Sequence, residues 1–74
     1  MKLKHLLMLL SNTHPKHRVE LWGKNDLPMS SCTAQMHLDT SPDLLNKKVI
    51  CWAESSHYDN EFVVILDTKV KICK

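Results

Sequence analysis

Glycine is almost absent from this chain, since Gly23 is the only glycine among its 74 residues. Phosphate-binding loops of the GxGxxG and P-loop types need several glycines, so the sequence excludes both. The chain is also too short for a nucleotide-binding domain joined to a substrate domain. We predict one domain over residues 1–74, with a thin margin of stability because a chain of this size buries only about 60% of its unfolded surface.

Long hydrophobic runs are missing as well. The apolar run at residues 6–10 is shorter than the roughly 7–15 residues of a signal-peptide core, and a polar stretch from Ser11 to Pro15 follows it in place of a cleavage site. No segment approaches the ~20 apolar residues that span a membrane. We therefore expect no membrane contact and a cytoplasmic protein.

Cysteine is sparse, and Cys32, Cys51 and Cys73 lie far apart in the sequence. Small secreted proteins carry an even and denser set, so three separate thiols favour a reducing cytoplasm. Two of them fall on apolar faces of predicted strands, where cysteine behaves as a small hydrophobic residue. None lies at a predicted helix N-terminus, a position that would activate the thiol.

The histidines do not form a metal-binding pattern with these cysteines. Zinc ligands usually come in pairs at short spacing, and the nearest pairs here are His14 with His17 and Cys32 with His37. On one predicted strand, Cys32 and His37 would point to opposite faces. We expect no catalytic residue, no metal and no cofactor. A zinc-dependent enzyme, or one that pairs a cysteine with His37 or His57, stays open as an alternative.

Charge of one sign is not concentrated either. Ten basic and eight acidic residues give a formal net charge of +2, and the two signs are interspersed. Nucleic-acid binding needs a concentrated basic face, so a nucleic-acid partner is not favoured. The basic concentrations are Lys47-Lys48 and the tail lysines Lys69, Lys71 and Lys74. A small nucleic-acid-binding regulator that uses them is the first alternative function.

One helix is clearly present in the hydrophobic pattern. Leu3, Leu6, Leu7 and Leu10 follow the i, i+3, i+4, i+7 spacing of an apolar helical stripe, which predicts a helix over 2–12. Pro15 forces the residue before it into extended geometry and ends the helix.

Alternating or continuous apolar segments predict strands after this helix. They are residues 17–22, 32–38, 48–54, 61–67 and the tail 69–74, with one helical turn at 41–45. The fold class is therefore α+β, with the N-terminal helix packed on an antiparallel sheet of three to five strands. The sheet residues expected beneath the helix are Val19, Leu21, Met36, Val49, Cys51, Val64 and Leu66.

The two tryptophans are predicted on the sheet face away from the helix. Strand alternation places Trp22, Ile50 and Trp52 there, together with Val63 and Ile65. Charged residues surround this predicted patch: Arg18, Glu20, Lys48 and Glu54. Aromatic patches with a charged rim are typical of partner-binding surfaces. Burial of both tryptophans under loop 23–31 or 39–47 is the alternative.

The start of the chain resembles a family of small phage and prophage proteins. The segments that carry the resemblance are the helix Lys2-Leu3-Lys4-His5-Leu6-Leu7-Met8-Leu9-Leu10 and then Thr13-His14-Pro15-Lys16-His17-Arg18-Val19-Glu20-Leu21. Those proteins open with a similar helix, pass through a proline turn and enter a strand, although they tend to have Glu where this chain has His5. Some of them, including certain anti-CRISPRs, bind and block a host protein.

These observations predict a non-catalytic protein–protein interaction module. The resemblance implies a phage-derived inhibitor that blocks a host defence protein or another host enzyme. The expected contact residues are Trp22, Trp52, Arg18, Glu20, Lys48 and Ile50. A homodimer is possible through the tail strand at 69–73, or through the strand at 61–67 if it lies at an edge.

Overall fold

The computed structural model describes residues 1–69, which form two helices, one short helical turn and a four-stranded sheet. Most of the predicted tail strand lies outside the described residues. The elements are α1 (Leu3–Thr13), β1 (Arg18–Gly23), β2 (Pro28–Thr33), α2 (Ala34–Thr40), a 3-10 turn at Pro42–Leu44, β3 (Val49–Glu54) and β4 (Glu61–Leu66). The α+β class, with α1 packed on the sheet, is confirmed.

The sheet is mixed rather than wholly antiparallel. Its strand order is β2-β1-β4-β3, and the pairs β1–β2 and β3–β4 are antiparallel. The central pair β1–β4 is parallel, from Arg18 opposite Glu61 to Gly23 opposite Leu66. Between these strands the chain crosses from the β2 edge to the β3 edge through α2 and the 3-10 turn, and β4 then returns in the direction of β1. Parallel neighbours require such a crossover.

The core lies between α1 and one face of the sheet. As predicted, Leu3, Leu6, Leu7 and Leu10 are buried, and they meet apolar side chains from the sheet. These sheet residues are Val19, Leu21, Val49, Phe62, Val64 and Leu66. The start of α1 is fixed to the chain before β3, because the Leu3 N–H donates to the Lys47 carbonyl at 2.9 Å.

The strand predicted over 32–38 is wrong. β2 ends at Thr33, and α2 begins at Ala34. The Thr33 hydroxyl accepts a hydrogen bond from the Met36 N–H at 3.4 Å and caps the new helix. In this helix Ala34 and His37 are buried, whereas Met36 is 53% exposed and is not a core residue.

A bulge in β3 overturns the second half of the alternation predicted for that strand. Val49 pairs with Leu66 but Cys51 pairs with Ile65, so Ile50 is an extra residue. An extra residue in a strand changes the face to which the following side chains point. Cys51 therefore lies away from α1 and is exposed, contrary to its predicted place in the core.

Candidate protein-binding groove

The structure places the two tryptophans on opposite faces of the sheet, so the single predicted patch is wrong. Trp52 pairs with Val64, which is buried beneath α1, and directly opposed residues share a face. Trp22 pairs with Ile65, whose side chain points the other way. The cause is the bulge at Ile50, which no simple alternation in the sequence reveals.

An open apolar groove lies beside Trp52, between the second half of α1 and the strands β3 and β4. We call it the Trp52 groove, and its volume is about 510 Å³. Its lining is Leu9, Leu10 and Thr13 from α1 and the C-cap His14, with Trp52, Ala53, Glu54 and Phe62 from the sheet. Trp52 is 40% exposed and Leu9 is 49% exposed, so both remain accessible in the folded chain.

Aromatic contacts hold the floor of the Trp52 groove. The Trp52 ring centroid lies 5.8 Å from that of the buried Phe62, and the His14 ring meets Phe62 edge-on at 5.2 Å. The Thr13 hydroxyl donates to the Leu9 carbonyl at 2.8 Å. Because the only hydrogen of that hydroxyl is used in this bond, its oxygen accepts a hydrogen bond from His14 Nδ1–H, with 2.9 Å between the nitrogen and the oxygen. The groove is therefore preformed around Trp52.

The electrostatics of the Trp52 groove come mainly from Glu54. It is the carboxylate among the lining residues, which otherwise contribute apolar side chains, a hydroxyl and an imidazole. Glu54 is exposed at the end of β3, where it pairs with Phe62. The groove therefore presents a mainly apolar lining with one carboxylate.

The other sheet face carries Trp22, Val63 and Ile65, as predicted, and all three are half-buried. The Trp22 indole N–H donates to Glu20 Oε1 at 2.8 Å. A hydrogen bond with the Glu20 carboxyl group raises the pKa of Glu61, aided by desolvation and by the charge of Glu20 and opposed by Arg18.

The remaining predicted contact residues are dispersed. Arg18 bonds within the sheet, because its guanidinium donates to the Ser31 carbonyl at 2.9 Å. Lys48 is exposed and lies next to Lys2, with which it forms an isolated bridge. Ile50 is 51% exposed in the bulge. Of the six predicted contact residues, only Trp52 lines the groove. No pattern in the sequence singles out Leu9, which lies beside the apolar stripe of α1.

Cys32 and His37 are in contact, although on the single strand predicted over 32–38 they would point to opposite faces. Because α2 begins at Ala34, the His37 ring turns back, and its Nδ1 lies 3.3 Å from Cys32 Sγ. His37 Nε2 lies 2.6 Å from the Val19 carbonyl oxygen, which can only accept, so Nε2 carries the hydrogen. Burial lowers the pKa of His37 and, against the effect of Arg18, raises that of the Cys32 thiol. The pair is thus a neutral S–H···N hydrogen bond.

Within residues 1–69, no three histidine, cysteine or acidic side chains lie close enough to hold a metal ion. The helices of this described part are also too short or too polar to cross a membrane. No protein-family model, curated protein or solved structure matches this chain.

Proposed function

We propose that this protein is a non-catalytic protein–protein interaction module that binds its partner in the Trp52 groove. The observation that carries the proposal is the position of Trp52, which is 40% exposed above the buried Phe62 in an apolar groove. Residues that contribute most to the binding energy of protein interfaces are enriched in tryptophan and lie in well-packed apolar pockets. Exposed apolar patches of this kind mark binding sites in small proteins.

The chemistry of the groove defines the partner. The walls formed by Leu9, Leu10 and Phe62 accept an apolar side chain, and Glu54 attracts a basic neighbour of that side chain. The resemblance of the first 21 residues to small phage proteins supports a host protein as the partner. Under this proposal the protein acts in the cytoplasm and blocks a host enzyme by covering its surface, as some anti-CRISPRs do.

Paired tryptophan variants test the proposal. Trp52→Ala removes the side chain at the centre of the groove, and we expect partner affinity to fall by about 30-fold or more, the effect of an interface hot spot. Trp22→Ala is the matched control, because Trp22 lies on the opposite sheet face. The measurement is capture of partner proteins from a lysate of the native host, quantified by mass spectrometry.

Two outcomes contradict the proposal. If Trp22→Ala abolishes capture while Trp52→Ala does not, the binding surface is the opposite sheet face. If circular dichroism shows that Trp52→Ala unfolds the protein, Leu9→Ala replaces it in the test, and undiminished capture by that folded variant contradicts the proposal. A lower-impact variant at the same groove, Leu9→Ala, then separates binding from folding because Leu9 is 49% exposed.

A nucleic-acid-binding function has one observation in its favour. The fold brings Lys2 beside Lys48, so these two residues and Lys47 form a small basic cluster before β3. The sequence alone shows only the neighbours Lys47 and Lys48. The net charge of +2 remains low for this function, so the nucleic-acid-binding regulator ranks below the interaction module.

The Cys32–His37 pair bears on the remaining alternative, a cysteine-dependent enzyme. Nucleophilic catalysis uses the thiolate, which neighbouring positive charge or a low pKa stabilises. Here burial acts in the opposite direction on both groups and favours the neutral thiol and the neutral imidazole. We therefore propose that this pair connects α2 to β1 and β2 as a structural element.

A further inference from the structure

Within residues 1–69, no strand pairs with the outer edge of β3 beyond its first residue. β3 is the last strand in the order β2-β1-β4-β3, so only one of its sides contacts β4. The beginning of this edge is occupied, because the Val49 N–H donates to the Met1 carbonyl at 2.8 Å and Lys2 forms a bridge with Lys48. Beyond Val49, the described chain places no strand against residues 50–54.

The backbone of this free segment is oriented to accept a partner strand. The Ser55 N–H donates to the Glu61 carbonyl at 2.8 Å, so Ser55 points towards β4. Successive residues of a strand direct their N–H and C=O groups to alternate sides. The backbone groups of Trp52 and Glu54 therefore point away from the sheet, and Trp52 is the midpoint of the segment 50–54.

The composition of β3 favours pairing with itself. Edge strands are normally protected from association by lysine or proline, but this edge presents Ile50, Cys51, Trp52 and Ala53, all exposed. Its charge is polarised, because lysines precede the strand and Glu54 ends it. In an antiparallel pair of two such strands, the basic start of each lies near the acidic end of the other.

We propose that β3 pairs antiparallel with β3 of a second copy of this chain, centred on Trp52 across a two-fold axis. In this register Ile50 faces the partner's Glu54, and Cys51 faces the partner's Ala53. The two four-stranded sheets join into one of eight strands, with both α1 helices on the same side. The two Trp52 side chains then lie next to each other, and the two grooves become continuous. The dimer uses the strand edge and stands independently of the function proposed above.

Charge substitutions at Ile50 test the register. The contact is small, and interfaces of this size form weak dimers, so sedimentation velocity over a range of protein concentrations is the measurement. We expect the wild-type chain to change from monomer to dimer as the protein concentration rises. Ile50→Glu places like charges opposite each other twice and should raise the dimer dissociation constant about tenfold. Ile50→Lys, the matched control at this half-exposed site, should retain the dimer.

The double variant Ile50→Glu with Glu54→Lys restores opposite charges in the same register, so we expect it to recover the dimer. The proposal is overturned if the wild-type chain remains monomeric at every concentration. It is also overturned if Ile50→Glu and Ile50→Lys sediment alike. Either result leaves the Trp52 groove to be judged by partner capture, so failure of the dimer and failure of the proposed function are distinguishable.

A crosslink gives a second, independent measurement. Ala53→Cys places a thiol opposite the partner's Cys51, in a non-hydrogen-bonded pair with Cα atoms about 4.5 Å apart, a separation that a disulfide can span. In a Cys73→Ser background, mild oxidation should yield a covalent dimer of this variant. The background alone should yield none. Equal yields of covalent dimer from the Ala53→Cys variant and from the background would exclude this register.

Discussion

The surroundings of His37 determine the protonation state of its imidazole. It is fully buried, and both of its ring nitrogens have partners, the Val19 carbonyl and the Cys32 thiol. A second ring hydrogen would remove the acceptor for the thiol and place a positive charge in the core. Burial therefore lowers the pKa of His37, and the backbone hydrogen bond offsets only part of this effect. The folded chain keeps the imidazole neutral.

This arrangement predicts a loss of stability in mild acid. The pKa of His37 in the unfolded chain is near 6.5, and its pKa in the folded chain is lower. Above pH 6.5 neither state binds the proton, but below it the unfolded state does so first. We expect the free energy of unfolding to decrease as the pH falls below about 6.5, by at most about 1.4 kcal/mol per pH unit from this residue. Urea denaturation between about pH 7.5 and about pH 5 measures how the free energy of unfolding changes with pH.

His37→Gln is the comparison for this experiment. It is expected to be less stable than the wild-type chain at every pH, because it disturbs a buried hydrogen-bonded pair. Its stability should nevertheless depend less on pH between about 6.5 and 5, since the titrating group is gone. Equal slopes in the two proteins would show that His37 is not the cause of the acid sensitivity.

At the scale of elements, α2 depends on a residue that lies just before it. The helix has 7 residues, too few to be stable by itself, and Thr33 provides its N-cap. α2 packs against α1 and carries His37 into the core. The packing of α2 against α1 therefore depends in part on the hydrogen bond made by Thr33.

Removal of this cap should destabilise the fold measurably. We expect Thr33→Ala to lower the free energy of unfolding by about 1 kcal/mol, since the Met36 N–H loses its acceptor. Thr40→Ala is the control in the same helix, because the Thr40 hydroxyl donates to the Met36 carbonyl and caps nothing. We expect its effect to be within about 0.5 kcal/mol. Chemical denaturation of both variants is the measurement, and a larger loss in Thr40→Ala would contradict the assignment.

Elements with a strong period could be predicted from the sequence, and α2 could not. The four leucines of α1 allow only one helical face, and the apolar run from Phe62 to Leu66 predicts a strand, which β4 confirms. In contrast, residues 32–38 alternate like a strand although a helix begins at Ala34. A short helix needs only two buried positions, here Ala34 and His37, and two positions do not distinguish one period from another.

At the scale of the whole molecule, the parallel pairing of β1 with β4 sets the arrangement of the surfaces. β4 is central, so the strand at 61–67 cannot pair across a two-fold axis as one prediction allowed. β2 and β3 become the edges, and the groove forms over β3. Which strands are neighbours follows from contacts between residues far apart in sequence. The alternation within each strand carries no such information.

The charge of the whole molecule decides the nucleic-acid alternative. A net charge of +2 and a cluster of Lys2, Lys47 and Lys48 release few counterions, so we expect no binding of duplex DNA at about 50 mM salt. Fluorescence anisotropy of a labelled duplex is the measurement. Tight binding that weakens steeply by about 200 mM salt, and that Lys48→Glu reduces, would favour the regulator over the interaction module.

Because of the bulge at Ile50, the number of residues in β3 determines the sheet face on which Trp52 lies. In a regular strand that starts from the pair Val49–Leu66, Trp52 would oppose Val63 and lie on the same side of the sheet as Trp22. One additional residue moves its indole to the helix side while the composition of the strand stays almost the same. In a lineage of such proteins, a single-codon insertion or deletion in β3 would therefore transfer the aromatic surface from one side of the molecule to the other. Substitutions alone would require several coordinated changes to do so.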